Sequence, residues 1–461
     1  MPNWSFDLTP VQVSPISTHW RSISTAIPVP ESLPLFQTLD ACESISMHGQ
    51  MPIVWDKAEG CQVSDPWGNT WIDFTSTIFV ANTGHGNPEI RKALQNCLDK
   101  PLLHSYSYAT PERVAYLKAL TDAAPKGLDK AFLLSAGTEA TECALKLMRL
   151  NGQRCGKRRP AIVCFEGNWH GRTLGAQMMS HNPAQKKWIG YTDPNIFHLP
   201  FPYPWRNIAD PAAYFEENFV SLCFREGLNP QDDICGFMLE TFQGWAAAFY
   251  PPTFVQAVRE TADTLGALLT FDEMQSGFGR TGKLFGYEHY GIKADLLCCG
   301  KGISSSLPLS AVIGSKEIMD LPAVGSMSST HSANPMACTA CHANLRYILA
   351  HDLPKRAAAL GGQMHNRLQR LRATFPDIIS DVLGMGLVAG IHFNTSDRTP
   401  LTALASRVCE KAMQKGLLLV HTGRESIKIA PPLTIPGEAL NEGLEVLEEA
   451  IHEAIAEGIN E

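Results

Sequence analysis

The chain is predicted to be an α/β protein built on a largely parallel β-sheet covered by helices, and three observations predict it. From about residue 131 onward, short apolar runs alternate with helical patterns. The runs are apolar throughout rather than alternating in polarity, as strands buried on both faces are. The residues richest in chemistry follow directly after the runs, where open α/β sheets present their ligand sites. With 461 residues and 44% hydrophobic content the chain has room for two or three domains around a large core.

In chain order, the first forty or so residues carry Pro10, Pro15, Pro28, Pro30 and Pro34 and read as an irregular arm. Residues 61–63 and 70–73 flank Asp65-Pro66-Trp67-Gly68-Asn69, which predicts a β-hairpin with its turn. Five strands are expected at 131–134, 161–165, 234–239, 268–271 and 295–298, with helices between them such as 138–150 and 252–265. After about Ala337 the pattern changes to a long helix, a hairpin-like segment at 387–393, further helices and an apolar strand near Leu417. The resulting division is 1–75, an arm and hairpin belonging to a small domain; 76–336, a large α/β domain; and 337–461, a C-terminal small α+β domain.

A net charge of −8 argues against nucleic acid or an anionic membrane as partner, and the short run Lys157-Arg158-Arg159 reads as a solvated loop. No basic segment leads into a long apolar one, and no window approaches the roughly eighteen apolar residues of a membrane helix. A cytoplasmic protein is the expectation. Thirteen cysteines scattered among apolar neighbours fit reduced, buried thiols. Cys338-Thr339-Ala340-Cys341-His342 has the spacing of covalent haem attachment. Without an export signal it reads as an accident of small residues on a helix packed against a sheet. No metal site is expected.

Two motifs carry the chemistry. Asp272 ends the apolar run Leu268-Leu269-Thr270-Phe271, and Lys301 lies between Gly300 and Gly302. A pyridoxal phosphate (PLP) site requires this pair: an amine to hold the aldehyde, and a buried carboxylate to keep the pyridine nitrogen protonated. Ser135-Ala136-Gly137-Thr138-Glu139 joins a strand to a helix N-terminus, which suits a phosphate monoester. Glu166-Gly167-Asn168-Trp169-His170-Gly171-Arg172-Thr173 follows the next strand, with Trp169 suited to lie flat on a ring.

These motifs, with Glu240-Thr241-Phe242-Gln243-Gly244, the run from Phe271 to Gly282 and Ser329-Thr330-His331-Ser332-Ala333-Asn334-Pro335, resemble the class III aminotransferases of PLP fold type I, from about Asp65 to Pro432. The resemblance implies a mainly parallel seven-stranded sheet in the large domain, with a smaller α+β domain. It implies Lys301 as Schiff-base lysine and proton shuttle, Asp272 on the pyridine nitrogen and Gln275 on the phenolate oxygen. Ser135, Gly137 and Thr138 would hold the phosphate, Trp169 would stack on the ring, and His170 and Glu240 would line the cofactor site. Thr330 would complete the phosphate site of the neighbouring subunit, which makes a homodimer the expected partner.

Three departures from the family bear on the substrate. Thr241 replaces a proline, Trp245 stands where the ornithine and aminobutyrate branch has a gating glutamate, and Lys428 stands where that branch has a carboxylate-binding arginine. Lysine lacks the bidentate fork, and Arg424 is the nearby substitute. Trp245, Phe79 and Tyr250 make the expected pocket more apolar and aromatic, away from ornithine, acetylornithine and simple aminobutyrate. The expected function is transfer of an amino group from an amine or amino acid, ω-amines included, to a keto acid or aldehyde. The alternatives are an epimerase, aminomutase or decarboxylase on the same scaffold, and a catalytically silent PLP-binding protein.

Overall fold

The computed structural model describes residues 5–458, so the ends of the arm and of the C-terminal domain, 1–4 and 459–461, lie outside the described residues. Seven strands form its largest sheet: β1 (Lys130–Leu134), β2 (Ala161–Phe165), β3 (Ile196–Leu199), β4 (Ile234–Glu240), β5 (Leu268–Asp272), β6 (Leu296–Cys299) and β7 (Ser310–Gly314). Across the sheet they run β1-β7-β6-β5-β4-β2-β3. Pairing is parallel except at β7, which is antiparallel to both β6 and β1. This is the mainly parallel seven-stranded sheet expected. The five apolar runs account for β1, β2, β4, β5 and β6; β3 and β7 complete it.

Helix α1 (Gly137–Arg154) follows β1 and buries Ala140, Ala144, Leu147 and Met148 in a core shared with Met238, Cys298 and Val312. Helix α2 (Pro252–Leu265) leads into β5 and ends on Gly266, whose φ of 62° lets its N–H turn back to the carbonyls of Ala262 and Asp263. Helix α3 (Pro335–Ala350) carries Cys338 and Cys341, both buried. It packs on helices Pro88–Leu98 and Pro111–Ala123 rather than on the sheet, as had been expected of it. Cys338 lies near Cys97 and Arg113, and Cys341 near Tyr116. Among the described residues no helix is long and apolar enough to cross a membrane, and no group of three or more His, Cys, Asp or Glu is placed to hold a metal.

The chain divides into two units. The larger comprises Pro88–Gly244 and Ala248–Pro354 and holds the seven-stranded sheet; the other takes the residues up to Asn87, Trp245–Ala247, and those from Lys355 onward. These changeovers differ from the expected 75/76 and 336/337. Residues beyond 75 stay with the smaller unit because Ser76 Oγ donates to Ala430 O and Leu433 N–H donates to Asn82 O. The chain remains in the larger unit past 336 because α3 packs on two of its helices. In the smaller unit the hairpin of Gln62–Ser64 and Thr70–Asp73 pairs Val63 with Trp71. Strand Leu417–Leu418 joins the same sheet parallel to Thr70–Asp73, so both ends of the sequence build one layer. Strands Ile379–Gly384, Ala389–Phe393, Ser426–Ile429 and Val420–His421 form a second, antiparallel sheet.

Candidate active site

Because β4, β5 and β6 are parallel and in register, their carboxyl ends come out side by side. Asp272 pairs with Glu240 on one side and with Cys298 on the other, and Lys301 follows two residues after β6. Three chemically active side chains therefore reach one sheet edge.

Each is held differently. Buried Asp272 accepts a hydrogen bond from Met274 N–H on Oδ1 (3.0 Å) and meets His170 Nδ1 through Oδ2 (2.9 Å). Buried Glu240 accepts from the N–H groups of Trp169 (3.0 Å) and Gly244 (3.2 Å). Lys301 is half-buried, with φ 48°. Burial pushes its amine below the ordinary lysine range, while the charges of Asp272 and Glu240 pull it back up. Gln275 and Glu240 close over Gly244, where a β-carbon would come within 2.3 Å of Gln275 Nε2 and 2.6 Å of Glu240 Oε1.

Close packing draws the surrounding turns in. A β-carbon on Gly137 would lie 2.9 Å from Met274 Sδ, and one on Gly300 2.4 Å, so the turns after β1, β5 and β6 converge on one thioether. Gly171, at φ 137°, lets the turn after β2 lie on the first turn of α1, where a β-carbon would meet Thr138 Oγ1 at 2.4 Å. At the N-terminus of α1, Ser135 and Ala136 N–H both donate to Glu139 Oε2 (2.8 Å each). The N–H groups of Gly137 and Thr138 follow in the first turn, where no helical acceptor exists for them. Ser135 Oγ lies 3.3 Å from Ser329 Oγ, and Thr330 O receives His104 Nε2 at 3.0 Å, so the Ser329-Thr330 segment sits at this helix end. Thr138 Oγ1 accepts from Thr173 N–H (3.3 Å). Half-buried Trp169 has the guanidinium of Arg172 4.5 Å above its ring.

Glu273, next to Asp272, has a different task. Burial raises its pKa, against hydrogen bonds from Thr241 Oγ1, Ser276 Oγ and the N–H groups of Gly286 and Tyr287, which bind the exit of β5 to the turn at 286–287. Sequence reasoning passed over this residue, and also Glu139, Asn168 and Ser329. Glu139 had a readable signal, its place three residues after the helix cap. The others had none, since their roles rest wholly or partly on contacts distant in sequence.

Of the residues expected to meet the substrate, Phe79, Trp245, Arg424 and Lys428 lie in the smaller unit and form two pairs, whereas Tyr250 lies buried in the larger unit with its hydroxyl on Asn168. Lys428 Nζ lies 4.7 Å from the centroid of the Phe79 ring, and the Arg424 guanidinium 3.6 Å from that of Trp245. Trp245 also meets the His392 ring edge-on at 5.6 Å. Phe79 closes a left-handed turn, Ser76 to Phe79, with φ from 49° to 71°, a conformation that β-carbons disfavour.

The family profile for aminotransferase class-III matches residues 45–451. The chain belongs to the class III aminotransferases. An alanine/serine racemase of Pyrococcus horikoshii is 30% identical over 99% of this chain and 98% of its own length. A 2-aminoadipate transaminase of Pseudomonas putida is 34% identical over 87% of this chain and 96% of its own. Among solved structures, a PLP-bound amine transaminase from an uncultivated Pseudomonas species superposes with a TM-score of 0.79 at 25% identity, covering 87% of this chain and 95% of that one. The enzyme is accordingly a PLP-dependent aminotransferase of class III. The residues present fit that cofactor: a helix end with two N–H groups lacking helical acceptors for the phosphate, an enclosed amine for the aldehyde and a buried carboxylate at the same sheet edge.

Proposed function

We propose that the enzyme moves an amino group between an amine or amino acid donor and a keto acid or aldehyde acceptor, with Lys301 holding PLP covalently. The observation that carries this reading is the Lys301 amine, depressed by burial and within the field of Asp272 and Glu240. When bound, PLP supplies an electron sink conjugated to the donor's α-carbon. Lys301, whose amine burial holds below the ordinary lysine range, would hold the aldehyde and, once displaced by a donor amine, would be the base that carries the α-proton. Asp272, held by the Met274 N–H, would face the pyridine nitrogen and favour its protonated form. Gln275 would serve the phenolate oxygen and Trp169 the ring face, with His170 and Glu240 supporting them. Ser135, Gly137 and Thr138 serve the phosphate.

Lys301→Ala is the test. The variant should bind PLP without the absorbance of the lysine-bound form and show no turnover; near-wild-type turnover would overturn the assignment. In the wild type, adding a donor without an acceptor should convert the cofactor stoichiometrically to its amine form, reversed by a keto acid.

A second reading is racemisation, favoured by the full-length similarity to the alanine/serine racemase. It predicts that one enantiomer of an amino acid, incubated in deuterated water with no acceptor, loses optical purity and gains α-deuterium over many turnovers. Aminotransfer alone predicts consumption of one donor per site.

For the substrate, the cationic and aromatic pairs Arg424–Trp245 and Lys428–Phe79 support a donor bearing a carboxylate and a partly apolar body, ω-amines among the candidates. For assembly, exposed Leu102, Leu103, Tyr106 and Tyr108, close in sequence to His104 at the Ser329-Thr330 segment, support a homodimer in which Thr330 serves the neighbouring subunit. Thirteen free cysteines support a reducing, cytoplasmic setting.

A further inference from the structure

The carboxylate assigned to the pyridine nitrogen is the end of a longer chain of hydrogen bonds. Tyr250 Oη donates to Asn168 Oδ1 (3.4 Å), Asn168 Nδ2 reaches His170 Nε2 (3.4 Å), and His170 Nδ1 meets Asp272 Oδ2 (2.9 Å). All four residues are buried. Tyr250 is fixed by aromatic neighbours: its ring centroid is 4.4 Å from that of Phe201 and 5.5 Å from those of Phe165 and Phe254. Its own N–H donates to Tyr290 Oη (3.2 Å).

Direction matters in this chain. An amide nitrogen only donates, so with Nδ2 facing the ring the His170 Nε2 must carry a lone pair, and the single proton of a neutral imidazole must sit on Nδ1. That proton points at Asp272. The opposite amide orientation would set Oδ1 against Nε2 and demand a proton there. His170 would then present a bare lone pair to the Asp272 carboxylate at 2.9 Å, or become an imidazolium that neutralises it. The Asp272 carboxylate, which can only accept from Nδ1, requires the first orientation, and the Tyr250 hydroxyl anchors the far side of the amide.

We propose that Asn168 is a positioning residue that locks His170 in the Nδ1–H tautomer, with Tyr250 anchoring the Asn168 side chain. The Nδ1–H is then fixed on Asp272 Oδ2, and the carboxylate is held in place to face the pyridine nitrogen. The inference rests on Asp272 being the carboxylate that faces that nitrogen.

The deciding measurement is the ring ¹⁵N spectrum of histidine-labelled holoenzyme, with His170 assigned by the signals that vanish in His170→Gln. The expected result is a protonated Nδ1 and a bare Nε2. In Asn168→Asp, whose carboxylate accepts from Nε2, that nitrogen should gain a proton, and kcat should fall about tenfold with KM little changed, as for loss of an orienting partner behind a reacting group. Tyr250→Phe should leave the His170 tautomer unchanged while broadening its Nε2 signal as the Asn168 side chain loses its anchor. A wild-type His170 protonated on Nε2 alone, or on both nitrogens, overturns the proposal, and this readout stands even if the variants fail to fold. The two readings fail separately. Asp272→Asn abolishing turnover beside the wrong tautomer sinks only the tautomer lock, whereas an active Asp272→Asn enzyme sinks the role given to Asp272 in the proposed function.

Discussion

Lys301 sits at φ 48°, in the left-handed region where a β-carbon costs on the order of 1–3 kcal/mol, with glycine on both sides. Its amine is depressed first by burial, and this makes a linkage prediction. The folded pKa lies below the unfolded value of 10.5, so between the two the unfolded chain binds more protons and stability rises with pH. The apoenzyme's stability relative to Lys301→Met should therefore climb as pH approaches 10.5, by at most about 1.4 kcal/mol per unit. Parallel melting profiles for the two proteins across that range would show the amine to be solvated. At this scale Lys301 and Asp272 were legible because each stands in a local context, a double glycine or the end of an apolar run, that its chemistry demands. Asn168 was quoted in the same motif as His170 and still unreadable, since its partner Tyr250 comes from the segment leading into α2 and only folding brings them together.

Among the elements, the turn after β2 depends on Gly171. At φ 137°, with Thr138 Oγ1 only 2.4 Å from an added β-carbon, Gly171→Ala meets both strain and a clash. It should lower stability by roughly 2–3 kcal/mol and weaken PLP binding, because His170 and the first turn of α1 shift together; a melting scan with a PLP titration reads both. Half-buried His198 on β3 makes an acid prediction. Burial, with Lys186 adding to it, pushes its imidazole down to about 3. Between that value and 6.5 the unfolded chain binds the extra proton, so stability falls on acidification by up to about 1.4 kcal/mol per pH unit. His198→Gln should flatten that slope in urea titrations run from pH 7 to pH 4; an unchanged slope would place the cause elsewhere. The strands that escaped sequence reading have physical reasons. β3 is four residues at the sheet edge, mostly half-buried, so its pattern is not apolar throughout. β7, Ser-Ala-Val-Ile-Gly, is wholly buried yet made largely of small residues, and little apolar bulk marks it. The strands β2, β4 and β5 were legible for the opposite reason, burial on both faces by large apolar side chains.

For the whole molecule, the assembly is tested by mixing chains. Lys301→Ala and Thr330→Ala subunits, co-refolded, should recover one complete site per mixed dimer if Thr330 serves its neighbour, and no activity beyond the separate variants if it serves its own subunit. Substrate recognition is tested alongside: Arg424→Ala should raise KM about tenfold or more for amino acid donors and leave amines without a carboxylate little affected. Equal effects on both would remove Arg424 from carboxylate recognition. The division into units was only partly legible, because nothing in the local pattern says that Thr70–Asp73 finds a partner in Leu417–Leu418. That pairing also sets an order of events during synthesis. The hairpin bearing Trp71 and Ile72 leaves the ribosome with its parallel neighbour still unmade, and the entire large sheet emerges before Leu417 does. The N-terminal layer must therefore wait, with an apolar strand edge uncovered, while the middle of the chain folds. A nascent chain stalled before residue 417 should accordingly be the form of this protein that chaperones hold longest.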